Sequence, residues 1–189
     1  VKPFNSSSAK KIIVESDWSS ASYFYSIIAL GEIGSEITLS SYKENSLQGD
    51  SCLVEIYEYF GVRTVFNGNS IVIKKVKKAS LNQLVLDLKD APDIAQTIAV
   101  TCFGLGVSCV LSGLHTLKIK ETDRLVALEN ELTKLGADIS VTDKSLTLKE
   151  SIKINSNIAI ETYEDHRMAM AFTPLTLKVP ISILNANVV

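Results

Sequence analysis

The sequence is poor in the residues that build metal centres, disulfide frameworks and membrane spans. It has only three cysteines and two histidines. Cys52, Cys102 and Cys109 are odd in number, lack C-x-x-C spacing and lie in apolar periodic segments, which predicts buried free thiols. His115 and His166 form no H-x-x-x-H or H-E-x-x-H pattern, so a zinc site has no motif behind it. Neither G-x-x-x-x-G-K-[ST] nor G-x-G-x-x-G occurs, and ATP or NAD binding has no sequence support. Apolar runs such as Ile94 to Val100, interrupted by Gln96 and Thr97, fall short of a membrane span. The N-terminus VKPFNSSSAKK lacks the layout of a signal peptide, so a cytoplasmic protein is expected. Charge of either sign is scarce in excess: 19 Lys plus Arg against 21 Asp plus Glu leave −2. No global field recruits nucleic acid or an anionic membrane, and any anion site must be local.

What is present is a core and a repeat. Hydrophobic residues make up 46% of 189 positions, enough for one good-sized domain or two small ones. KIIVE (11–15) reads as a short buried strand, and ASYFYSIIALG as a helix capped by Ser19 or Ser20 and stopped at Gly31 or Gly34. EITLS alternates like a strand. A second helix is expected over about 48–60, with Leu53, Tyr57 and Phe60 on one face and Gly61 ending it. VRTVF and SIVIK, joined through Asn-Gly-Asn, read as a hairpin.

The same order of signals then returns. LVLDL, the acidic loop KDAPD, the helix IAQTIAVTCFGLG, the strand SCVLS, a second helix ending at Gly136 and the hairpin DISVTDKSLTLK repeat the first pass. The offset Gly136 − Gly61 is 75, and it also aligns Ser145 with Ser70 and Leu148 with Ile73. A third copy opens at NIAIETYEDHRMAMAF and PISIL. An α/β chain of two full β-α-β-α-β-β units and the start of a third is expected, packed compactly because the period is too long for the common solenoids.

The polar exceptions to the repeat fall at strand-to-helix corners, where α/β proteins gather anion ligands. In KIKETDRLVALENELTKLG (118–136), Leu125, Leu128, Leu132 and Leu135 form an apolar face. Ahead of them Lys120, Glu121, Thr122, Asp123 and Arg124 crowd the helix start, where free amides and the dipole favour anions. Thr122 or Asp123 as a simple N-cap, with Lys120 and Arg124 solvated, explains the same residues. Asp93 after Pro92 reads equally as a cap or a site carboxylate. His166 and Arg167 in EDHRMAM read as structural or catalytic, and Ser19, Ser20 and Ser22 as caps or anion donors.

Together, ESDWSSASYF (15–24), NSLQGD (45–50), PDIAQTIAV (92–100), IKETDRL (119–125), ELTKLGAD (131–138) and TYEDHRMAMAF (162–172) resemble the 5-enolpyruvylshikimate-3-phosphate synthases, in order and spacing, from about Ile12 to Leu184. The resemblance implies transfer of the enolpyruvyl group of phosphoenolpyruvate to the 5-hydroxyl of shikimate 3-phosphate, with release of phosphate, on the shikimate pathway to chorismate and the aromatic amino acids. It implies no metal or organic cofactor. By motif match Asp93 is the base and a shikimate contact, and Glu121 carries the proton of the enolpyruvyl carbon. Ser20, Tyr23, Thr116 and Lys120 contact shikimate 3-phosphate. Arg124, Arg167 and His166 contact phosphoenolpyruvate. Thr116 stands where the family usually has Asn, Glu164 replaces the Asn of Y-N-D-H-R, and Trp18 stands where a small residue is common.

The resemblance also implies a fold of two lobes, each of three units, with substrates in the cleft between them. The family enzyme is more than twice as long, so the chain corresponds to its C-terminal portion and is expected to carry about half a site, with the N-terminal half as its missing partner. Residues 1–65 are then the last unit of one lobe and 66–189 most of the other, crossing near Thr64 to Asn67. Two rival functions stay open: the sister enolpyruvyl transferase acting on UDP-N-acetylglucosamine, and a non-catalytic binding module of the same fold.

Overall fold

The computed structural model describes residues 13–189, and its first regular element is α1, Trp18–Leu30. Asp17 caps it, its carboxylate accepting the Ser19 amide, so the expected cap moves back from Ser19 or Ser20 to the preceding aspartate. The backbone of Gly31 closes the helix by donating to the Ile27 carbonyl. Strand β1, Glu36–Ser40, follows. The second helix starts as a 3-10 turn at Gly49–Cys52 and becomes regular as α2, Leu53–Tyr59, burying Leu53, Tyr57 and Phe60 on one face. Gly61 ends it at φ +78°, and a Cβ there would lie 2.1 Å from the Lys77 carbonyl oxygen, which only glycine avoids. Strands β2, Val62–Asn67, and β3, Ser70–Lys75, form the hairpin predicted from Asn-Gly-Asn. Buried Lys75 places Nζ 2.7 Å from both the Ala29 and Phe60 carbonyls, a cation where α1 and α2 end. Burial pulls its ammonium down to about 8.

The second unit repeats this plan. It runs β4, Gln83–Asp87; a 3-10 turn at Pro92–Ile94; α3, Ala95–Leu105; β5, Ser108–Ser112; a 3-10 turn at His115–Ile119; α4, Arg124–Lys134; and the hairpin of β6, Ile139–Val141, and β7, Ser145–Leu148. The third contributes β8, Ile158–Ile160; α5, His166–Phe172; and β9, Ile181–Ile183. Sheet order is β1-β3-β2 in the first unit and β4-β5-β7-β6 in the second, with β8 pairing β9 in the third. β4 lies parallel to β5 and β8 to β9, whereas the hairpins are antiparallel.

Among the described residues the first sheet is one strand short of the second. The repeat would place 11–15 beside β1, as β4 lies beside β5, but Lys11 and Ile12 lie outside the described residues and Ile13 to Glu15 are not in a strand. Ile13 and Val14 are exposed, so the expected burial is also absent. Periodicity finds apolar runs that fit a strand; it does not supply the hydrogen-bonding partner that makes one.

Helices α1, α3 and α5 pack against one another, and α1 and α3 also pack against strands of their own units. Ser22 meets Thr97 at 2.9 Å and Ser26 meets Thr101 at 2.8 Å, each pair 75 residues apart, so equivalent positions of two units touch. Buried side chains of all three units, from Trp18 and Tyr57 through Ile98 and Leu128 to Phe172, form one hydrophobic core. Trp18, in place of the small residue common in the family, is fully buried against the edge of Tyr42 and donates Nε1 to Glu15. The expected crossing between lobes near Thr64 to Asn67 falls inside β2, which pairs with β3 along its whole length. Cys102 and Cys109 are buried free thiols as expected, while Cys52 is only half-buried.

Candidate functional site

Asp123 caps α4 by accepting the amides of Leu125 and Val126, both at 3.2 Å, which confirms the structural reading of that aspartate. The cap fixes Arg124 as the first helical residue, and its side chain turns inward, 1% exposed. There it meets three carboxylates. Nε lies 2.6 Å from Asp165 Oδ2, Nη1 3.0 Å from Asp93 Oδ1, and Nη2 2.6 Å from Glu121 Oε2. A buried guanidinium requires such pairing, and its planar fork lets one side chain join three chain segments.

Asp93 is the second meeting point. It sits in the 3-10 turn before α3, where Pro92 has no amide to offer, and its carboxylate caps no backbone. Besides Arg124 it faces Lys120 Nζ at 3.1 Å and Arg167 Nη2 at 3.7 Å. The capping alternative for Asp93 is thus set aside. Asp165, fully buried, caps α5 by accepting the Arg167 amide at 2.8 Å while holding Arg124. Three cations, Lys120, Arg124 and Arg167, balance three carboxylates, Asp93, Glu121 and Asp165, at the junction of α3, α4 and α5.

The loop feeding α5 is strained. Tyr163 and Glu164 have φ of 54° and 55°, a left-handed region that costs a non-glycine residue about 1–3 kcal/mol. Asn tolerates that region better than Glu, which explains why the family's usual Asn at position 164 is a conformational choice.

On the α1 side, Tyr23 is buried and its phenol is pushed up to about 12 by burial, while the nearby charges of Arg167 and Arg124 pull the other way. Ser20 is exposed and donates to the capping carboxylate of Asp17 at 3.0 Å. Ser19 Oγ donates instead to Asp50. Burial raises the Asp50 carboxyl against that hydrogen bond, and the neighbouring Asp93 charge adds to the rise. At Asp17 burial is outweighed by the Ser19 amide and the Ser20 and Ser19 hydroxyls, and its carboxyl is lowered. His166 is exposed, with Nδ1 4.0 Å from Asp165 Oδ1. Thr116 Oγ1 is buried without a hydrogen-bond partner among the described residues, as are Thr162 Oγ1 and the Gln96 amide.

The structure therefore gathers Asp93, Lys120, Glu121, Arg124 and Arg167, and sets Tyr23 and His166 at their edge. It does not link Ser20 or Thr116 to them by hydrogen bonds. Sequence reasoning missed the central role of Asp165 and the presence of Asp17 and Asp50. All three lie within the matched segments EDHR, ESD and QGD, but only three-dimensional pairing separates a cap from a clamp.

This arrangement can do two things chemically. Clustered guanidinium and ammonium groups bind phosphate or carboxylate, and adjacent carboxylates transfer protons. Four of the five N–H donors of Arg124 are engaged by protein carboxylates, so a ligand gains a fork of two donors from it by displacing one of them. Glu121, with half of its side chain exposed, is the partner free to leave; Asp165 is not.

Comparisons with known proteins identify the family. The family described as EPSP synthase (3-phosphoshikimate 1-carboxyvinyltransferase) matches residues 1–189. The 3-phosphoshikimate 1-carboxyvinyltransferase of Bacteroides fragilis is 42% identical over 169 residues, covering 88% of this chain and 41% of that protein. Its counterpart in Haemophilus influenzae is 34% identical over 181 residues, covering 94% and 40%. The one in Methanococcus aeolicus is 41% identical over 162 residues, covering 85% and 36%. The chain thus spans about two fifths of the length of these curated relatives. The solved EPSP synthase of Acinetobacter baumannii shares the fold, with a TM-score of 0.72 at 23% identity over 92% of this chain and 42% of that one. With the whole length matched by one family and its segments in the family's order, the chain belongs to the EPSP synthase family.

Proposed function

We propose that the chain forms one wall of an active site that transfers the enolpyruvyl group of phosphoenolpyruvate to the 5-hydroxyl of shikimate 3-phosphate. The observation that carries this is the meeting of Lys120, Arg124 and Arg167 with Asp93 and Glu121. Two phosphorylated substrates need cations, and an addition followed by an elimination needs a base and an acid. Asp93 takes the proton of the attacking hydroxyl as its oxygen bonds to C2 of phosphoenolpyruvate. Glu121 gives a proton to the methylene carbon, producing a tetrahedral intermediate. Removal of a methyl proton then restores the double bond as phosphate leaves. Arg124 and Arg167 bind the phosphoenolpyruvate carboxylate or phosphate, with His166 beside them. Lys120, Ser20, Tyr23 and Thr116 serve shikimate 3-phosphate.

The remainder of the site comes from the rest of the family's fold, the N-terminal half. The shared core supports placing all three units described here in a single lobe, so the cleft lies against the face where α1, α3 and α5 begin. Among the described residues no helix is long and apolar enough to cross a membrane. We assign the reaction to the cytoplasm because both substrates are phosphorylated and do not cross a bilayer unaided.

Phosphate release tests the proposal. With the N-terminal half supplied in trans, phosphoenolpyruvate and shikimate 3-phosphate should release phosphate, and UDP-N-acetylglucosamine should not replace the acceptor. Release with the UDP-sugar alone would move the chain to the sister reaction. Absence of both release and calorimetric binding of shikimate 3-phosphate would leave a non-catalytic module. The 189-residue chain by itself should turn over at a small fraction of the combined rate.

A further inference from the structure

Glu131 lies two turns beyond Arg124 on the same face of α4, and its side chain is fully buried without contacting the charge cluster. A buried carboxylate must be paired, and this one is paired in a particular direction. It accepts the Tyr163 hydroxyl at 2.7 Å and the Glu161 amide at 3.1 Å, while Lys134 covers its outer side at 2.7 Å. Asn130 adds a longer hydrogen bond to the same Tyr163 oxygen. Both Glu161 and Tyr163 belong to the loop that carries the two left-handed residues and ends at Asp165. Arg124 grips that loop at Asp165, so α4 holds it at two points: one at the cluster and one remote from it.

We infer that Glu131 is a positioning residue, which fixes the 161–164 loop through Tyr163 and the Glu161 amide and so sets where Asp165 and Arg167 stand. The remote grip is needed because left-handed φ at Tyr163 and Glu164 is unfavourable by itself, and the loop relaxes if released. Once relaxed, it carries with it the hydrogen bonds from the Asp165 amide to the Thr162 carbonyl and from the Arg167 amide to Asp165. The inference rests on the proposed function only in taking Asp165 and Arg167 as members of the site.

Hydrogen exchange tests it without any assay of turnover. Tyr163→Phe removes the hydroxyl and keeps the ring; Glu131→Gln keeps shape and one acceptor and removes the charge. In Tyr163→Phe the amides of Asp165, Arg167 and Met168 should exchange about tenfold faster, the loss of one hydrogen bond to a charged acceptor, with those of Leu125 and Val126 unchanged. Glu131→Gln should give a smaller change at the same amides. No change at 165–168, or equal acceleration throughout the chain, overturns the inference.

The catalytic counterpart is a split of kinetic constants in the complemented enzyme. Tyr163→Phe should raise KM for phosphoenolpyruvate several-fold with kcat largely retained, because the cations are displaced rather than removed. A structural role alone lowers the amount of folded enzyme and leaves KM in place, which also overturns it. If the unsubstituted protein does not turn over, the functional proposal fails, while the exchange pattern still decides the role of Glu131.

Discussion

The start of α1 and the start of α3 occupy the same corner of the repeat, yet their aspartates do different work. Asp17 accepts the Ser19 amide and the Ser20 hydroxyl and so completes its helix. Asp93 follows a proline, caps nothing, and turns its charge to Lys120, Arg124 and Arg167. α5 combines both uses, since Asp165 caps its helix and clamps Arg124 as well. A carboxylate engaged by its own backbone is a local device. One left free by the backbone can bind cations and exchange protons, so the difference separates the structural corner from the chemical one.

Removing the shared cation breaks that contrast most severely. Arg124→Ala leaves buried Asp165 without its counter-charge and should lower unfolding free energy by about 3–5 kcal/mol in denaturant titrations. Asp93→Asn should reduce kcat of the complemented enzyme by about 100-fold, in the range of general-base losses, with little change in melting temperature. At the structural corner the signs reverse. Asp17→Ala should cost about 1 kcal/mol of stability, the loss of one cap, and lower kcat far less than Asp93→Asn does. Glu164→Asn should stabilise the chain by about 0.5–1 kcal/mol in the same titrations, because Asn bears the left-handed conformation better.

Asp50 gives the smallest effect and a pH dependence. Its carboxyl is raised in the folded state, so its charge opposes folding at neutral pH and that cost fades as pH falls through the raised pKa. Asp50→Asn should therefore melt higher than the parent at pH 7, with the difference closing on acidification. A gap that widens in acid would mean that Asp50 is stabilised as an anion.

The elements were legible because periods of 3.6 and 2 leave marks in the sequence. The hairpin around Gly68 and the leucine face of α4 are of that kind, and the 75-residue offset reappears as contacts between Ser22 and Thr97. Two features were not legible. KIIVE carries a strand's pattern, but forming a strand also depends on a neighbour that local sequence does not describe. Asp17, Asp93 and Asp165 all precede helices, and what separates the clamps from the plain cap is a set of cations 27 to 41 positions away. Glu121 to Arg124 contained both answers at once: Asp123, one of the two expected caps, caps α4, and Arg124 is the buried centre of the cluster.

The contacts between α1 and α3 carry a further consequence. Equivalent positions of two copies touch here, Ser22 with Thr97 and Ser26 with Thr101, so the two units meet through corresponding faces while being joined end to end. Covalent tethers of this kind hold neighbouring members at roughly millimolar effective concentration. The faces between units therefore need not be adhesive enough to assemble separate chains. Thr101 also meets the Tyr57 hydroxyl, so altering this one threonine at the contact perturbs two members at once.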